Sequence, residues 1–256
     1  MQSRTFGLIG YPLLYSYSQE YFSRKFEDEG ISNAVYKLFP LQNLGDFREW
    51  IGNTPALAGL NVTIPHKIGI IRHLDELDHD ARSIGAVNCI RFGKNRLKGF
   101  NTDAPAFLKT LKPWLTDTHR QALVLGTGGA ARAVRFALNE LGIPSRLVSR
   151  RPPDSNAVAY EDLAELLPRS TLLVNATPLG MRPLHDKAPN LPYDLIGAKH
   201  LCYDLIYEPA VTPFMKLCAI RGARTIGGLA MLTEQADLSW EIWNRPEPHA
   251  EPPGTS

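Results

Sequence analysis

A glycine-rich segment follows a short apolar run that ends at Leu125. Gly126, Gly128 and Ala131 have the spacing G-x-G-x-x-A, and an apolar-faced helix is predicted to begin at Gly129. In this pattern the first glycine permits a tight turn, the second lets a pyrophosphate approach the main chain, and the small third residue lets helix and strand pack closely. An ordinary turn is the alternative, but the predicted strand before it and the helix after it favour a dinucleotide-binding site.

Ser149, Arg150 and Arg151 stand where such a site distinguishes NAD from NADP. An NAD enzyme usually carries Asp or Glu about 20 residues beyond the glycines, because a carboxylate binds the ribose 2′-hydroxyl. This chain has two guanidinium groups instead, which suit a 2′-phosphate, and one of them suits stacking on adenine. A solvated pair of surface arginines is the alternative, and the position after the glycine-rich segment favours NADP.

Composition excludes several classes of protein. The 256 residues include 28 Lys and Arg against 26 Asp and Glu, which argues against coating nucleic acid or anionic membranes. No apolar run approaches the roughly 18 residues of a membrane helix, and the first residues show no signal-peptide pattern, so we expect a cytoplasmic protein. Cysteine and histidine spacing predicts neither a disulfide framework nor a metal site; the residues concerned are Cys89, Cys202, Cys218, His66, His73 and His79.

The pattern of apolar residues predicts two α/β units. In the first hundred residues, strands and helices are mixed: we expect strands at 5–9, 35–39 and 57–62, a helix capped by Ser18 and reaching residue 29, a helix beginning near Pro65, and a hairpin at 87–92 and 96–100. A further helix follows Asp103. Beyond residue 115, strands and helices alternate regularly, which predicts a parallel sheet; the elements are 121–125, 129–141, 145–149, 172–174, 200–206 and 214–220, with a last helix at 228–243.

Seven segments, taken in order, resemble the shikimate dehydrogenase family. They are 61–67, 84–88, 99–103, 126–130, 175–181, 204–207 and 228–235, within a likeness that extends from residue 5 to about 243. The resemblance implies an N-terminal mixed-sheet α/β substrate domain, a Rossmann-like NADP-binding domain, and a C-terminal helix that returns to the first domain. The corresponding boundaries are 1–104 with about 228–244, then 105–227. The Pro-rich composition of 245–256 predicts a disordered tail.

The same resemblance implies the reversible NADP-linked reduction of 3-dehydroshikimate to shikimate, a step of aromatic amino-acid biosynthesis. By matching positions, Lys67 would be the catalytic lysine and Asp103 its partner. The substrate site would be lined by Ser16, Ser18, Thr63, Asn88, Tyr207 and Gln235. The cofactor would be contacted by Gly126, Thr127, Gly128, Gly129, Ala130, Ser149, Arg150, Arg151, Leu205 and Gly228. No metal is implied, and the chain is expected to be a monomer or a homodimer.

These residue types suit the implied reaction. Reduction of a ring ketone builds negative charge on oxygen, and a lysine ammonium within about 3 Å can stabilise that charge and donate a proton. Hydroxyl and amide side chains suit a polyhydroxylated acid. The family's first motif usually reads H-S-x-S-P, whereas this chain keeps both serines but has Tyr15, Tyr17 and Gln19 at the other positions.

Two other functions remain open on the sequence. One is a quinate/shikimate dehydrogenase with a broader substrate range or a preference for NAD, against which the Arg150–Arg151 pair argues. The other is a non-catalytic shikimate-binding regulatory module. Such a module would be expected to lose the lysine–aspartate pair or the glycine-rich segment, and this chain keeps both.

Overall fold

The computed structural model describes residues 3–94, 96–152 and 157–246. Two six-stranded sheets organise this part of the chain, so the predicted α/β class with one mixed sheet and one parallel sheet is confirmed. We call the elements around the first sheet, together with the last helix, the first lobe, and those around the second sheet the second lobe. The predicted disordered tail lies outside the described residues from position 247 onward.

The first sheet combines parallel and antiparallel pairs. Its strand order is β2-β1-β3-β5-β6-β4; β1 is parallel to β2 and β3, whereas β5 is antiparallel to β3 and β6. The strands are β1 (Arg4–Gly10), β2 (Ala34–Pro40), β3 (Leu57–Val62), β4 (Glu76–Leu77), β5 (Cys89–Phe92) and β6 (Leu97–Phe100). The helices between them are α1 (Tyr17–Asp28), α2 (Phe47–Gly52) and α3 (His79–Ile84).

Helix α4 (Asp103–Leu111) leads into the second sheet, in which every pair is parallel. The strand order is β12-β11-β10-β7-β8-β9, so successive strands are added on one side of β7 up to β9 and on its other side from β10 onward. A ligand crevice is expected where the strand order reverses in this way, outside the carboxyl ends of the strands. The elements are β7 (Ala122–Leu125), α5 (Gly129–Glu140), β8 (Ser145–Val148), β9 (Ala157–Val158), α6 (Leu163–Leu166), β10 (Leu172–Asn175), β11 (Leu201–Asp204), α7 (Pro213–Ile220) and β12 (Arg224–Ile226).

The last helix, α8 (Leu229–Asn244), returns to the first lobe, as the family resemblance implies. Its Trp243 stacks on Phe6 with ring centroids 4.9 Å apart and donates its indole N–H to the carbonyl of Ile90 at 3.0 Å. Gly59 of β3 has no side chain because the Trp243 ring occupies that space. A further apolar cluster joins the lobes, since Ala86 of the first lobe and Met231 of α8 share it with strands of the second sheet.

Three local expectations were wrong. Helix α1 is capped by Ser16, whose side chain accepts a hydrogen bond from the amide of Ser18, so the helix begins one residue before the predicted cap. No regular helix begins near Pro65: a turn is followed by a short 3₁₀ helix (Gly69–His73), because the Lys67 carbonyl is taken by the amide of Val87 at 2.8 Å. The third error is omission, since α2, α3, α6, β4, β9 and β12 are too short to show a periodic pattern.

Candidate active site

The predicted residues of the first lobe follow strands that end at one edge of the first sheet. The loops after β1 and β3 are joined there, because the amide of Thr63 donates to the carbonyl of Ile9 at 2.9 Å and that of Tyr11 to Ile64 at 3.0 Å. Strand β5 is antiparallel and therefore begins at this edge, with Cys89 opposite both Asn61 and Phe100. The edge thus gathers the residues Ser16, Ser18, Thr63, Lys67, Asn88 and Asp103.

Lys67 and Asp103 form an ion pair across this edge. The lysine Nζ lies 2.6 Å from Oδ2 of the aspartate, and the two side chains are 16% and 6% exposed. Asp103 is the first residue of α4, where the helix dipole favours a negative charge. The pair is therefore held largely out of water, with only the lysine reaching the solvent-facing side.

Asn88 fixes the aspartate from its other side. Its amide nitrogen lies 2.9 Å from Oδ1 of Asp103, 2.8 Å from the Thr102 hydroxyl and 3.3 Å from Oε1 of Gln235. Its oxygen accepts the amide of Thr102 at 2.7 Å. With one carboxylate oxygen held by Asn88 and the other by Lys67, Asp103 has a single orientation.

The local sequence leaves Asp103 free for this task. The Asn101 side chain caps α4, because its oxygen accepts the amide of Ala104 at 3.1 Å while its nitrogen donates to the Ala86 carbonyl at 2.9 Å. Thr102 occupies the N-cap position without making a side-chain cap. The cap therefore comes from Asn101, and the Asp103 carboxylate is spared for Lys67.

A buried polar network behind Asn88 was missed by the sequence analysis. Asn61 donates to the Asn88 carbonyl at 3.2 Å and to the Ser239 hydroxyl at 2.9 Å, and accepts from the Tyr36 hydroxyl at 2.8 Å. Burial is the largest cause that holds the pKa of Tyr36 well above its usual value, and the nearby Ser18 side chain opposes it. The network joins residues far apart in the chain, so only the polarity of Asn61 within an apolar strand could have indicated it.

The start of α1 brings two predicted substrate residues close to the second lobe. Ser16 and Ser18 flank Tyr17, whose ring lies 5.9 Å from that of Tyr207. Burial is the largest cause that raises the pKa of Tyr207. Thr63 is half-buried, and within the described residues no side-chain hydrogen bond joins it to these groups.

The glycine-rich segment forms the turn between β7 and α5. Gly126 has φ +109°, and a Cβ there would lie 3.0 Å from the Ala176 carbonyl oxygen, so both its conformation and its neighbour require glycine. Gly128 is the N-cap of α5, and a Cβ at this position would meet no atom within 4 Å. Thr127 and Ala130 complete a turn with open space over the helix N-terminus, which fits a pyrophosphate.

The two predicted cofactor arginines follow β8. Ser149 accepts the amide of Arg151 at 3.2 Å and donates to its carbonyl at 3.0 Å, which closes a small turn with Arg150 exposed at its tip. Within residues 3–94, 96–152 and 157–246, neither arginine pairs with a carboxylate. Two such guanidinium groups at the carboxyl end of β8 fit a 2′-phosphate.

Asn175 and Asp204 support the same edge and were not among the predicted site residues. Asn175, at the end of β10, donates to Oδ1 of Asp204 at 3.0 Å and accepts from the amide and hydroxyl of Thr177 at 3.1 and 2.7 Å. Asp204, at the end of β11, also accepts from the amide of Ile206 at 3.0 Å and the Thr212 hydroxyl at 2.6 Å. Burial raises the pKa of Asp204 to about 6.

These two residues set the loops on which other predicted residues lie. Leu205 follows Asp204 directly, and its amide donates to the Asn175 carbonyl at 3.0 Å. The Leu205 carbonyl oxygen occupies the space that a Cβ on Gly228 would need, so the chain enters α8 in close contact with this loop. The sequence signal that could have identified Asn175 and Asp204 is that each is a polar residue at the end of an otherwise buried, mostly apolar strand.

The described residues contain no cluster of three or more His, Cys, Asp or Glu side chains with the geometry of a metal site. Likewise, none of the helices in this part of the chain has the length and hydropathy needed to cross a membrane.

Comparison with known proteins supplies the family context of this geometry. Residues 8–90 match a family model described as shikimate dehydrogenase substrate binding domain. A protein of Methanococcus maripaludis named shikimate dehydrogenase (NADP(+)) is 36% identical over 265 residues, which cover 96% of this chain and 93% of that protein.

Solved structures agree over nearly the whole chain. A chorismate mutase/shikimate 5-dehydrogenase fusion protein from Clostridium acetobutylicum is 35% identical, with a TM-score of 0.84 over 95% of this chain and 91% of the other. Shikimate 5-dehydrogenase from Thermus thermophilus, solved with NADP(H) and shikimate, is 33% identical, with a TM-score of 0.82 over 94% and 93% of the two chains.

Proposed function

The chain belongs to the shikimate dehydrogenase family, and from this premise we propose that it catalyses the NADP-dependent, reversible reduction of 3-dehydroshikimate to shikimate, with Lys67 and Asp103 as its catalytic pair. The observation that carries the proposal is the 2.6 Å ion pair, which lies at the edge of the first sheet. The glycine-rich turn of the second lobe begins the helix that contacts this lysine.

Lys67 is the proton donor in the reducing direction. Its ammonium faces the place where a substrate carbonyl would stand, and it both stabilises the developing negative charge and protonates the oxygen. Asp103 keeps the ammonium in position, and Asn88 keeps the carboxylate from turning away. The partial exposure of the lysine gives it a route to recover its proton from solvent.

NADP, when bound, would supply the hydride for the reduction and accept it in the reverse direction. Gly126 to Ala130 receive the pyrophosphate at the helix N-terminus, while Ser149, Arg150 and Arg151 receive the 2′-phosphate. Leu205 and Gly228 border the same edge. These residues bind and orient the cofactor only, and the proton is transferred by Lys67 of the first lobe.

The substrate residues are mostly neutral hydrogen-bonding groups. Ser16 and Ser18, at the start of α1, are proposed to bind the substrate carboxylate together with Tyr207, because the helix N-terminus favours an anion. Thr63, Asn88 and Gln235 are proposed to bind the ring hydroxyls. Asn88 therefore serves both the substrate and the orientation of Asp103.

Initial rates with shikimate or quinate, each with NADP or NAD, test the proposal. We expect shikimate with NADP to give the highest kcat/KM of the four combinations. A higher value for quinate or for NAD would favour the broader dehydrogenase. Binding of shikimate without turnover in any combination would favour the regulatory module.

Three further assignments belong to the same proposal. The domain boundaries are 1–104 with 228–244, and 105–227, so α4 crosses the first boundary. The cytoplasm is the proposed compartment, since all three cysteines are free and buried. The assembly is proposed to be a monomer or a homodimer, which sedimentation at two concentrations would distinguish.

A further inference from the structure

The place of Gly129 in the phosphate-binding turn does not explain why this residue has no side chain. In the spacing G-x-G-x-x-A the small residues are Gly126, Gly128 and Ala131, and position 129 is free to vary. Gly129 is the first residue of α5, and its φ lies outside the left-handed region. An alanine would stabilise the helix by up to about 1 kcal/mol relative to glycine. Some other constraint must therefore exclude a side chain at position 129.

That constraint is the Lys67 side chain. A Cβ built on Gly129 would lie 2.8 Å from Cβ and 3.3 Å from Cδ of Lys67, and 3.4 Å from Cβ of Ala86. Carbon atoms in favourable contact are about 3.5–4.0 Å apart, so the first of these distances is a clash. Because the nearest atom is the root of the lysine side chain, rotation of the side chain cannot relieve it.

Lys67 has no freedom to withdraw at its main chain. Its carbonyl oxygen is held by the amide of Val87 at 2.8 Å, and its ammonium is held by Asp103 at 2.6 Å. The stem between these two anchors lies against the bare main chain of Gly129. A larger residue at position 129 would therefore move the ammonium, or move α5 away from it.

We propose that Gly129 is a positioning residue for Lys67: the first turn of the helix that receives the cofactor pyrophosphate also sets the place of the ammonium that protonates the substrate. The inference rests on the proposed function, in which Lys67 transfers the proton. Its content is that the missing side chains of two adjacent glycines leave room for different partners: for the cofactor at Gly128, and for the stem of Lys67 at Gly129.

Gly128 offers the matched control. Its φ of −74° and ψ of −177° are open to any residue, and a methyl group there would meet no protein atom within 4 Å. A methyl group at 128 would instead enter the open space over the turn. Gly128→Ala should therefore leave the free protein unchanged and weaken the binding of NADP.

The experiment compares Gly129→Ala and Gly128→Ala, each alone and combined with Lys67→Ala. Three quantities are measured: kcat at saturating NADP, the Kd of NADP from calorimetry without substrate, and Tm. For Gly129→Ala we expect kcat to fall about ten- to a hundredfold, since a misplacement of about 1 Å has that effect. We expect Kd within about twofold and a modest fall in Tm, because the clash with Lys67 outweighs the helix preference of alanine. For Gly128→Ala we expect Kd to rise at least about tenfold, with kcat within about threefold.

The Lys67→Ala background separates this inference from the proposed function. Once the ammonium is gone, Gly129→Ala should lower kcat by less than about twofold, because its effect acts through the lysine. An equal loss in both backgrounds, a wild-type kcat, a rise of Kd like that of Gly128→Ala, or a variant that does not fold would each overturn the inference. Wild-type turnover in Lys67→Ala alone would instead overturn the proposed function.

Discussion

The two sheet edges that carry the predicted site residues are built by different means. At the first edge, position is set by side chains: Asn88 holds Asp103, and Asn61 holds Asn88 through its main-chain carbonyl. At the second edge, it is set mainly by the main chain, through the positive φ of Gly126 and the open N-cap at Gly128. The difference matches the ligands, because a pyrophosphate is bound by main-chain amides, whereas a proton must be carried on a side-chain atom.

The contrast has one exception, which shows its limit. Asn175 and Asp204 are fully buried side chains at the second edge, and they play there the part that Asn61 and Asn88 play at the first. Their hydrogen bonds end on loop main chain and on Thr177 and Thr212. They therefore shape the loops that carry predicted cofactor residues, and no reactive group is placed there by them.

The largest expected effect tests the chemical role of the first edge. Lys67→Ala should lower kcat by about 10²- to 10⁴-fold while the Kd of shikimate stays nearly constant, because the interaction lost is made in the transition state. Steady-state rates and calorimetry measure the two quantities. If kcat stayed at its wild-type value and only KM rose, Lys67 would be a binding residue and the two edges would not differ in chemical role.

A matched pair of asparagines sharpens the comparison. Asn88→Ala and Asn175→Ala should each lower the free energy of unfolding by about 2–3 kcal/mol, because each leaves buried hydrogen-bonding groups unpaired. Denaturant titration measures this loss. Their functional effects should separate: Asn88→Ala lowers kcat, and Asn175→Ala raises the Kd of NADP. The same functional effect from both variants would contradict the division between the edges.

The positive charge of Arg150 at the second edge should affect the affinity for NADP and leave the chemical step unchanged. Arg150→Ala is expected to weaken NADP binding about ten- to a hundredfold through loss of a charge-assisted contact, with little change for NAD. Arg146→Ala, an exposed arginine at the opposite end of β8, is the control and should change neither affinity. Equal losses for NADP and NAD in titration calorimetry would show that Arg150 does not bind the 2′-phosphate.

The smallest expected effect concerns pH and the buried carboxyl of the second edge. Burial raises the pKa of Asp204 to about 6, so the folded state keeps its proton at pH values where the unfolded chain has lost it. Its contribution to stability is therefore present at low pH and is lost as pH rises through about 6. Between pH 4.5 and 7, the unfolding free energy of the wild type relative to Asp204→Asn should fall by about 2 kcal/mol.

Asp204→Asn is a suitable reference because the amide keeps the shape of the carboxyl group but does not titrate. Its oxygen can still accept from Asn175 and Ile206, and its nitrogen can donate to the Thr212 hydroxyl. Chemical denaturation at several pH values measures the difference. A difference that stays flat over this range would show that Asp204 does not retain a proton in the folded state.

The sequence predicted those elements whose pattern is long enough to read. The apolar run of β7, the glycines after it and the helix α5 were predicted together, since each limits the others. Helices α2 and α3 have six residues each, fewer than two turns, so no repeat of apolar positions is visible in them. The helix expected at Pro65 failed because a distant amide, that of Val87, takes the Lys67 carbonyl.

The site residues likewise divide into those that a local motif predicts and those that depend on contacts far apart in the sequence. The pairing of Lys67 with Asp103 was expected from family motifs, and the structure brings the two side chains to 2.6 Å. Asn61 was not predicted, because its partner Ser239 lies 178 residues further along the chain. Contacts of that range follow from how the elements pack, and no local spacing encodes them.

The return of α8 to the first lobe has a consequence for protein synthesis. Phe6, in the first strand, cannot complete its packing until Trp243 has left the ribosome, whereas the second sheet is complete once Ile226 has emerged. The usual order, in which the N-terminal domain folds first, should therefore be reversed in this chain. We expect nascent chains stalled with residue 228 just outside the ribosome to resist protease in the second sheet while the first sheet remains cleavable. Once α8 has also emerged, both sheets should be protected.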